Sequence, residues 1–218
     1  MSSPTIRLVC FDLGRVLVRI CDNWAHASEV ANIPKRVNYP LDPQVRELVN
    51  KAVFAHEVGK LDHEPMIREL AQYLGIDVEH VDAIWTAYVI DAYPGGIELI
   101  DDIHAAGYKT ACLSNINPNH WDQVRKGGKA AVPIEHLNYQ FASHLIGHRK
   151  PDAGAYEHVE RETGFHGPEI VFFDDIEENI EAARKLGWIA EVIARDHQPV
   201  RQVRNHLIRL GVLKNKSR

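Results

Sequence analysis

The chain has 218 residues, of which 45% are hydrophobic and 25% are charged, and its formal net charge is −5 at pH 7. This length suits one domain, or a core with a small insert, that buries a hydrophobic core without disulfide or metal support. The acidic balance argues against nucleic-acid partners and against a membrane-surface role, and no apolar stretch approaches the length of a membrane span.

The N-terminal residues and the cysteines indicate a reducing compartment. The segment 2–4 (Ser-Ser-Pro) is not the basic start of a signal peptide, and the apolar run that follows it is short. The three cysteines show no metal-ligand spacing, and Cys10 and Cys112 fall inside predicted strands, where reduced thiols are commonly buried. We therefore expect a cytoplasmic protein.

The first predicted element is a buried strand at residues 6–10 (Ile-Arg-Leu-Val-Cys), which leads into Phe-Asp-Leu-Gly at 11–14. This order places the carboxylate of Asp12 where a strand ends in a turn. Open α/β sheets carry their chemistry at the carboxyl ends of the strands, so Asp12 is a candidate site residue.

Residues 19–92 have a different pattern from the rest of the chain. Apolar side chains recur at helical spacing within 45–53, 66–74 and 84–91, and we find no convincing strand there. We therefore predict a helical insert between the first strand and the remainder of the core.

From Tyr93 onward, predicted strands alternate with predicted helices. They are a helix at 95–106, a strand at 108–113, a helix at 152–163, a strand at 170–173, a helix at 177–186, a strand at 189–193 and a closing helix at 199–213. Alternation of this kind is typical of a parallel sheet with crossover helices. The predicted fold class is α/β, with a Rossmann-like parallel sheet as the core.

Three later segments also place polar groups at the ends of predicted elements. Ser114 follows the strand at 108–113, Lys150 precedes a helix, and Asp174 and Asp175 end the strand at 170–173. An Asp, a Ser, a Lys and an Asp pair in this order resemble the pattern of the haloacid-dehalogenase-like hydrolases. The resemblance runs from about residue 5 to about residue 193.

The resemblance implies a division of the chain. Residues 1–18 and 93–218 would form the α/β core, and residues 19–92 would form a small helical cap over the active site. The segment 113–121 (Leu-Ser-Asn-Ile-Asn-Pro-Asn-His-Trp) is similar to a longer motif of one branch, which includes bacterial sugar-1-phosphate phosphatases.

Carboxylates dominate the candidate catalytic residues. A carboxylate can attack phosphorus and form an aspartyl-phosphate, which is the role expected of Asp12. Asp174 and Asp175 offer the oxygen ligands that Mg²⁺ prefers. The resemblance implies that Asp12, Asp175 and the carbonyl of Gly14 bind the metal, with Asp174 as a direct or water-mediated ligand. Two adjacent Asp residues can also simply begin a helix, but that does not explain Asn179, which matches the family pattern too.

The phosphate itself requires donors and positive charge. The Ser114 hydroxyl and the backbone N–H of Asn115 can hold phosphate oxygens, although Ser-Asn is also ordinary turn chemistry. Lys150 would neutralise charge on the nucleophile and on the transferring phosphoryl group, which is the main electrostatic task in phosphoryl transfer. A lysine before a proline can equally be a surface loop residue.

One position departs from the family pattern. Phosphatases of this superfamily usually carry a second Asp two residues after the nucleophile, as general acid and base, and here that position is Gly14. Three explanations stay open: a substrate whose leaving group needs little protonation, a substitute such as Asp22 or His26, or a weak or non-catalytic site. Loss of such a group typically costs about 10²- to 10⁴-fold in rate.

The sequence thus predicts a Mg²⁺-dependent phosphatase for a small phosphorylated metabolite, with a sugar phosphate as one candidate. The alternatives are a 2-haloacid dehalogenase, which also uses an aspartate nucleophile but needs no metal, and a weakly active or non-catalytic binding protein. The acidic pair at 174–175 argues against the dehalogenase. The oligomeric state is not predicted.

Overall fold

The structure is a computed structural model, and it describes residues 6–34, 37–125, 134–195 and 198–215. Its strands are β1 (Leu8–Phe11), β2 (Val18–Ile20), β3 (Val89–Ala92), β4 (Lys109–Ser114), β5 (Tyr139–Ala142), β6 (Ile170–Asp174) and β7 (Ile189–Val192). Its α-helices are α1 (Trp24–Val30), α2 (Pro43–Glu57), α3 (His63–Leu74), α4 (Val78–Thr86), α5 (Gly96–Ala105), α6 (Pro118–Arg125), α7 (Ser143–Ile146), α8 (Ala153–Thr163), α9 (Glu177–Lys185) and α10 (Pro199–Arg209).

Five strands form one parallel sheet in the order β5-β4-β1-β6-β7. The central strand β1 pairs on both sides, with Leu8 opposite Lys109 of β4 and opposite Ile170 of β6. Successive side chains of a strand point to opposite faces, and accordingly Val9 and Phe11 belong to one apolar cluster while Leu8 belongs to another. The predicted α/β fold with a parallel core sheet is confirmed.

Helices cover both faces of this sheet. The cluster that contains Val9 also includes apolar residues of α5 and α10, and the cluster that contains Leu8 includes residues of α8 and α9. A parallel sheet covered on both faces is built from strands that are apolar throughout, and β1 and β6 are fully buried. All strands of this sheet therefore present their carboxyl ends at the same edge.

Helices α1 to α4 pack around a third apolar cluster, which includes Met66, Leu70 and Ile84. The expectation that residues 19–92 hold no strand was wrong at both ends of the segment. Strand β2 pairs with β3 in an antiparallel ribbon, with Val18 opposite Ala92. Strands β2 and β3 have only three and four residues, so the apolar pattern of the sequence does not reveal them beside the neighbouring helices.

The helix predicted within 84–91 was wrong beyond Thr86, where α4 ends, because β3 follows at Val89–Ala92. The short helices α1, α6 and α7 were not predicted. The boundaries of most other predicted elements differ little from those observed. The closing helix ends at Arg209 rather than at residue 213, and the chain then turns at Gly211, which has a φ of 76°. Strand β5 was not predicted, because its four residues lie at the sheet edge and are only partly buried. Among the described residues, no helix is long and apolar enough to cross a bilayer.

Candidate active site

The carboxyl ends of β1 and β6 bring two carboxylates against one lysine. Asp12 directly follows β1, and Asp174 is the last residue of β6. The Nζ of Lys150, which is 2% exposed, lies 2.9 Å from Asp12 Oδ1 and donates to Asp174 Oδ2 at 2.6 Å. Burial alone would lower the pKa of Lys150, but the two carboxylates outweigh it and hold that pKa above its ordinary value. The ammonium is therefore a fixed positive charge beside Asp12.

Asp174 is fully buried, and both of its carboxylate oxygens accept hydrogen bonds. Oδ1 accepts from the backbone N–H of Ile176 at 2.9 Å, and Oδ2 accepts from Asn179 Nδ2 at 2.9 Å as well as from Lys150. A carboxylate held from three directions cannot reorient without breaking several charge-assisted bonds. Asp174 thus orients the lysine, and Asn179 orients Asp174.

Asp175 lies between two arginines. Its Oδ2 accepts from Arg195 Nε at 2.7 Å and lies 3.9 Å from Arg15 Nη1. Burial raises the pKa of Asp175, with a further contribution from the charge of Asp174, whereas both arginines oppose the rise. The chain therefore supplies only part of the positive charge that would stabilise this carboxylate.

The three carboxylates together form a cluster of hard oxygen donors. Asp12, Asp174 and Asp175 each offer an oxygen, and these atoms all lie within 4.8 Å of one another. Burial raises the pKa of Asp12, and so do the charges of the two other carboxylates, while Lys150 opposes the rise. A divalent cation among the three would relieve this repulsion, so the donor set fits Mg²⁺ chemically.

Ser114 and Asn115 occupy the carboxyl end of β4, next to the cluster. Ser114 is the last residue of the strand and is buried. The Asn115 side chain forms two hydrogen bonds with the main chain of Lys150: Nδ2 donates to the carbonyl and Oδ1 accepts from the N–H, both at 2.8 Å. The side chain of Asn115 therefore positions the lysine, a role that the sequence did not indicate.

A side chain at position 14 would meet a close neighbour. A Cβ atom added to Gly14 would lie 3.1 Å from Ile20 Cδ1 and 3.8 Å from Asp12 Oδ2, so the end of the Ile20 side chain would have to shift by a few tenths of an ångström. Asp22 and His26, the proposed substitutes, lie 3.4 Å from each other (Oδ2 to Nδ1), and neither lines the cavity described next.

A cavity of about 310 Å³ adjoins the cluster. The core contributes Asp12, Gly14, Ser114, Asn115, Lys150 and Asp175 to its lining. Residues 18–92 contribute a second group, which we call the apolar wall: Ile20, Trp24, Val49, Val53, Trp85 and Tyr88. The cavity therefore joins a charged region at the sheet edge to a hydrocarbon surface on the helical segment.

Three contacts join α2 to the core at the edge of this cavity. Arg149 Nε donates to Glu57 Oε2 at 3.2 Å, and the Arg149 guanidinium lies 3.7 Å from the centre of the Phe54 ring. The Ser143 hydroxyl donates to the backbone carbonyl of Glu57 at 2.5 Å. Arg149, Glu57 and Phe54 together are called the α2 clasp below.

Residues 6–187 match the family model described as haloacid dehalogenase-like hydrolase. The chain belongs to this family. The predicted resemblance is thereby confirmed, and the match includes four of the five sheet strands, the four motifs and the helical segment.

Among solved structures, a haloacid dehalogenase family enzyme from Bacteroides thetaiotaomicron aligns over 91% of this chain and 98% of its own, with a TM-score of 0.75 and 20% identity. A second structure of that enzyme is a complex with magnesium and inorganic phosphate, and it aligns over 86% of this chain and 93% of its own with a TM-score of 0.67 and 21% identity. The L-2-haloacid dehalogenase of Xanthobacter autotrophicus aligns over 94% of this chain and 83% of its own, with a TM-score of 0.60 and 18% identity. These likenesses show the fold.

Among curated proteins, the sesquiterpene phosphatase astK of Aspergillus oryzae is 25% identical over 142 residues. The aligned part makes up 61% of this chain and 67% of the fungal protein.

The fold of this hydrolase brings the residues singled out in the sequence to one place. Asp12, Lys150 and Asp174 are in direct contact, and the carboxylate of Asp175 joins them within the cluster. The sequence did not indicate Glu57, which comes from the helical segment, because nothing in its spacing relates it to the motifs. Arg195 was missed too, because it lies beyond the last predicted strand.

Proposed function

We propose that this hydrolase is a Mg²⁺-dependent phosphatase that acts on a small phosphorylated metabolite. The observation that carries the proposal is the buried contact of Lys150 with Asp12, beside two further carboxylates. A lone nucleophilic carboxylate would need the lysine, but it would not need two more negative charges within 4.8 Å. Such a cluster suits a reaction that pairs a nucleophile with a divalent cation.

In the proposed mechanism, Asp12 attacks phosphorus and the bond from phosphorus to the alcohol oxygen breaks. Lys150 holds Asp12 Oδ1, so the attacking oxygen is Oδ2, which lies on the side of Gly14. The alcohol departs with a proton taken from solvent, because position 14 supplies no acid. Water then hydrolyses the aspartyl-phosphate and restores the carboxylate.

The other residues of the site bind the phosphate, position Lys150 and would hold the cation. Ser114 and the backbone N–H of Asn115 bind the phosphate oxygens, while the Asn115 side chain keeps Lys150 in position. Asp12, Asp175 and the carbonyl of Gly14 would hold Mg²⁺, with Asp174 acting directly or through water. When bound, the cation would neutralise negative charge on the phosphoryl group.

Two relatives support the proposal. The Bacteroides enzyme with this fold binds magnesium and inorganic phosphate, and the fungal relative is named a phosphatase. We further propose that residues 19–92 act as a cap over the site, with residues 1–18 and 93–218 as the core. The partner is then a small phosphorylated molecule; the sugar phosphate suggested by segment 113–121 is one candidate.

The deciding experiment is hydrolysis of p-nitrophenyl phosphate by pure protein, with Mg²⁺ and with EDTA. We expect release that requires Mg²⁺ and that falls to background in Asp12→Asn. Asp101→Asn is the matched control, because that aspartate is exposed on α5. Activity that persists in Asp12→Asn, or in EDTA, would contradict the mechanism.

The same preparation tests the dehalogenase alternative. The three clustered carboxylates favour the phosphatase, because dehalogenation needs no cation. We expect no chloride release from 2-chloropropionate, measured under the conditions that support phosphate release. Chloride release without phosphate release would reverse the assignment.

A further inference from the structure

The apolar wall faces the same cavity as the catalytic residues. Trp24 and Trp85 lie with ring centres 6.0 Å apart, and His120 stacks on Trp85 at 4.8 Å. Val49 and Val53 lie one helical turn apart on α2, so both can face the cavity from the same side of that helix. The part of the substrate that extends from the phosphate toward the helical segment therefore meets hydrocarbon and aromatic surface.

Most polar groups around this wall already have protein partners. Glu57 Oε2 accepts from Arg149 Nε at 3.2 Å. His120 is bonded at both ring nitrogens, to Asn117 Nδ2 at 2.8 Å and to the carbonyl of Trp85 at 2.7 Å. The ring nitrogens of His120 are therefore not available to a ligand without the loss of an existing bond.

The helical part of the described lining presents few other polar groups to the organic part of a substrate. Asn50 is exposed on α2, and the buried indole N–H of Trp85 has no hydrogen-bond partner. A sugar carries several hydroxyl groups, and each hydroxyl that is buried without a partner costs affinity. A hydrocarbon needs no such partners and gains from the contact.

We propose that the apolar wall binds the hydrocarbon part of the substrate, so that the preferred substrates are phosphate monoesters of apolar alcohols rather than sugar phosphates. This inference rests on the proposed phosphatase function. The volume of about 310 Å³ is at the small end for ligand pockets, which range over about 300–1,000 Å³. It suits a short chain or a single ring system beside the phosphate.

The test is the value of kcat/KM for ethyl, butyl, hexyl and octyl phosphate, with glucose 6-phosphate for comparison, in the presence of Mg²⁺. All five are esters of primary alcohols, which are similar as leaving groups, so a difference among them reports contact with the protein and not the chemical step. We expect kcat/KM to rise about fourfold for each added methylene until the cavity is filled. Hexyl phosphate should then exceed glucose 6-phosphate by about tenfold or more.

Two matched variants test whether the apolar wall causes the preference for longer alkyl phosphates. Val53→Thr keeps the shape of the side chain and puts a hydroxyl into the apolar wall, so it should lower the hexyl-to-ethyl ratio of kcat/KM about fivefold. Val78→Thr is the same change at a position that is 41% exposed on α4 and outside the cavity, so that ratio should not change. Circular dichroism checks that both variants are folded.

The outcomes separate the two proposals. If no phosphate ester is hydrolysed, the proposed function fails, and calorimetric binding of ethyl and hexyl phosphate to the wild-type protein tests the apolar wall instead. Equal rates, or equal dissociation constants, for ethyl and hexyl phosphate would overturn the inference. So would a kcat/KM for glucose 6-phosphate above that for hexyl phosphate, or a hexyl-to-ethyl ratio that Val53→Thr leaves unchanged.

Discussion

Lys150 is a buried charged side chain, and it is stable there because two carboxylates contact it. Replacing it by Met would leave Asp12 and Asp174 buried with no cation in contact. We expect Lys150→Met to lower the free energy of unfolding at pH 7 by about 3–5 kcal/mol, measured by urea denaturation. The loss should be smaller at pH 5, because the unpaired carboxylates can then take up protons. An equal loss at both values would argue against an electrostatic role.

Gly14 offers a way to restore the missing acid. The Cδ1 methyl of Ile20 stands 3.1 Å from the place where a Cβ would be, and Ile20→Val removes that methyl. We expect Gly14→Asp combined with Ile20→Val to raise kcat for hexyl phosphate by about 10²-fold, because an acid could then protonate the leaving alcohol. The rate with p-nitrophenyl phosphate should change much less, because nitrophenolate departs unprotonated.

Ile20→Val alone is the control for that pair. An equal change in the rates for both substrates would indicate that the aspartate does not act as an acid. In the wild-type protein the same reasoning predicts a steep dependence on the leaving group. Near-equal rates for nitrophenyl and alkyl phosphates would contradict it.

At the scale of elements, the α2 clasp joins the helical segment to the core. Burial raises the pKa of Glu57, and the Arg149 guanidinium opposes that rise. Arg149→Met would leave the Glu57 carboxylate buried without its counter-charge, so we expect a loss of about 1–3 kcal/mol in the free energy of unfolding. Hydrogen exchange at the amides of α2 should become faster.

A double-mutant cycle separates the ion pair from the loss of packing on Phe54. Glu57→Gln in the Arg149→Met background should recover part of the stability, because it removes the unpaired charge. The coupling energy should be at least about 0.5 kcal/mol. Strictly additive effects would show that the two side chains contribute independently.

His120 ties α6 to the end of α4 and makes that contact sensitive to pH. Asn117 Nδ2 donates to its Nδ1, so the proton is on Nε2, which donates to the carbonyl of Trp85. Burial lowers the pKa of His120 to about 4, although the bond to Trp85 opposes this. The unfolded chain binds a proton near its ordinary pKa of about 6.5, so stability is present above that value and is lost as the pH falls toward 4.

We expect this one residue to remove up to about 3 kcal/mol of stability between pH 7 and pH 4. His120→Gln keeps a donor for the carbonyl of Trp85 but cannot take up a proton. The wild type should therefore lose stability relative to this variant as the pH falls, so the difference between their free energies of unfolding should change with pH. A difference that is constant with pH would show that His120 is not the titrating group.

For the whole molecule, the crowded carboxylates predict that Mg²⁺ stabilises the folded state. A ligand present at 100 times its dissociation constant adds about 2.7 kcal/mol, which for a chain of this size is about 5–10 °C in Tm. Differential scanning calorimetry with MgCl₂, against NaCl of equal ionic strength, should show this shift in the wild type. Asp175→Ala should abolish the shift, and a shift of unchanged size in that variant would place the cation elsewhere.

The sequence predicts the sheet well where strands are long and wholly apolar. Strands β1, β4 and β6 lie within two residues of their predicted bounds, because each is buried on both faces. The short strands β2, β3 and β5 gain their stability from pairing partners distant in the chain, and periodicity does not report such partners.

The contacts within the site could not be predicted from the sequence for the same reason. The motif residues could be named because three of the motifs follow apolar runs and the fourth, at Lys150, precedes a helix, but their contacts with one another could not. The bonds from the Asn115 side chain to Lys150 join residues 35 apart, and the Arg149–Glu57 pair joins residues 92 apart. Both depend on the packing of complete elements, which local spacing does not encode.

The β2–β3 ribbon has a consequence for how such a protein can change over time. Because Val18 lies opposite Ala92, the chain leaves the core and returns to it at neighbouring points. A replacement of everything between those two points need not disturb the core elements that position Asp12, Lys150 and Asp174. Descendants of one ancestor could therefore exchange the helical segment as a unit while they keep the same cluster of charged residues.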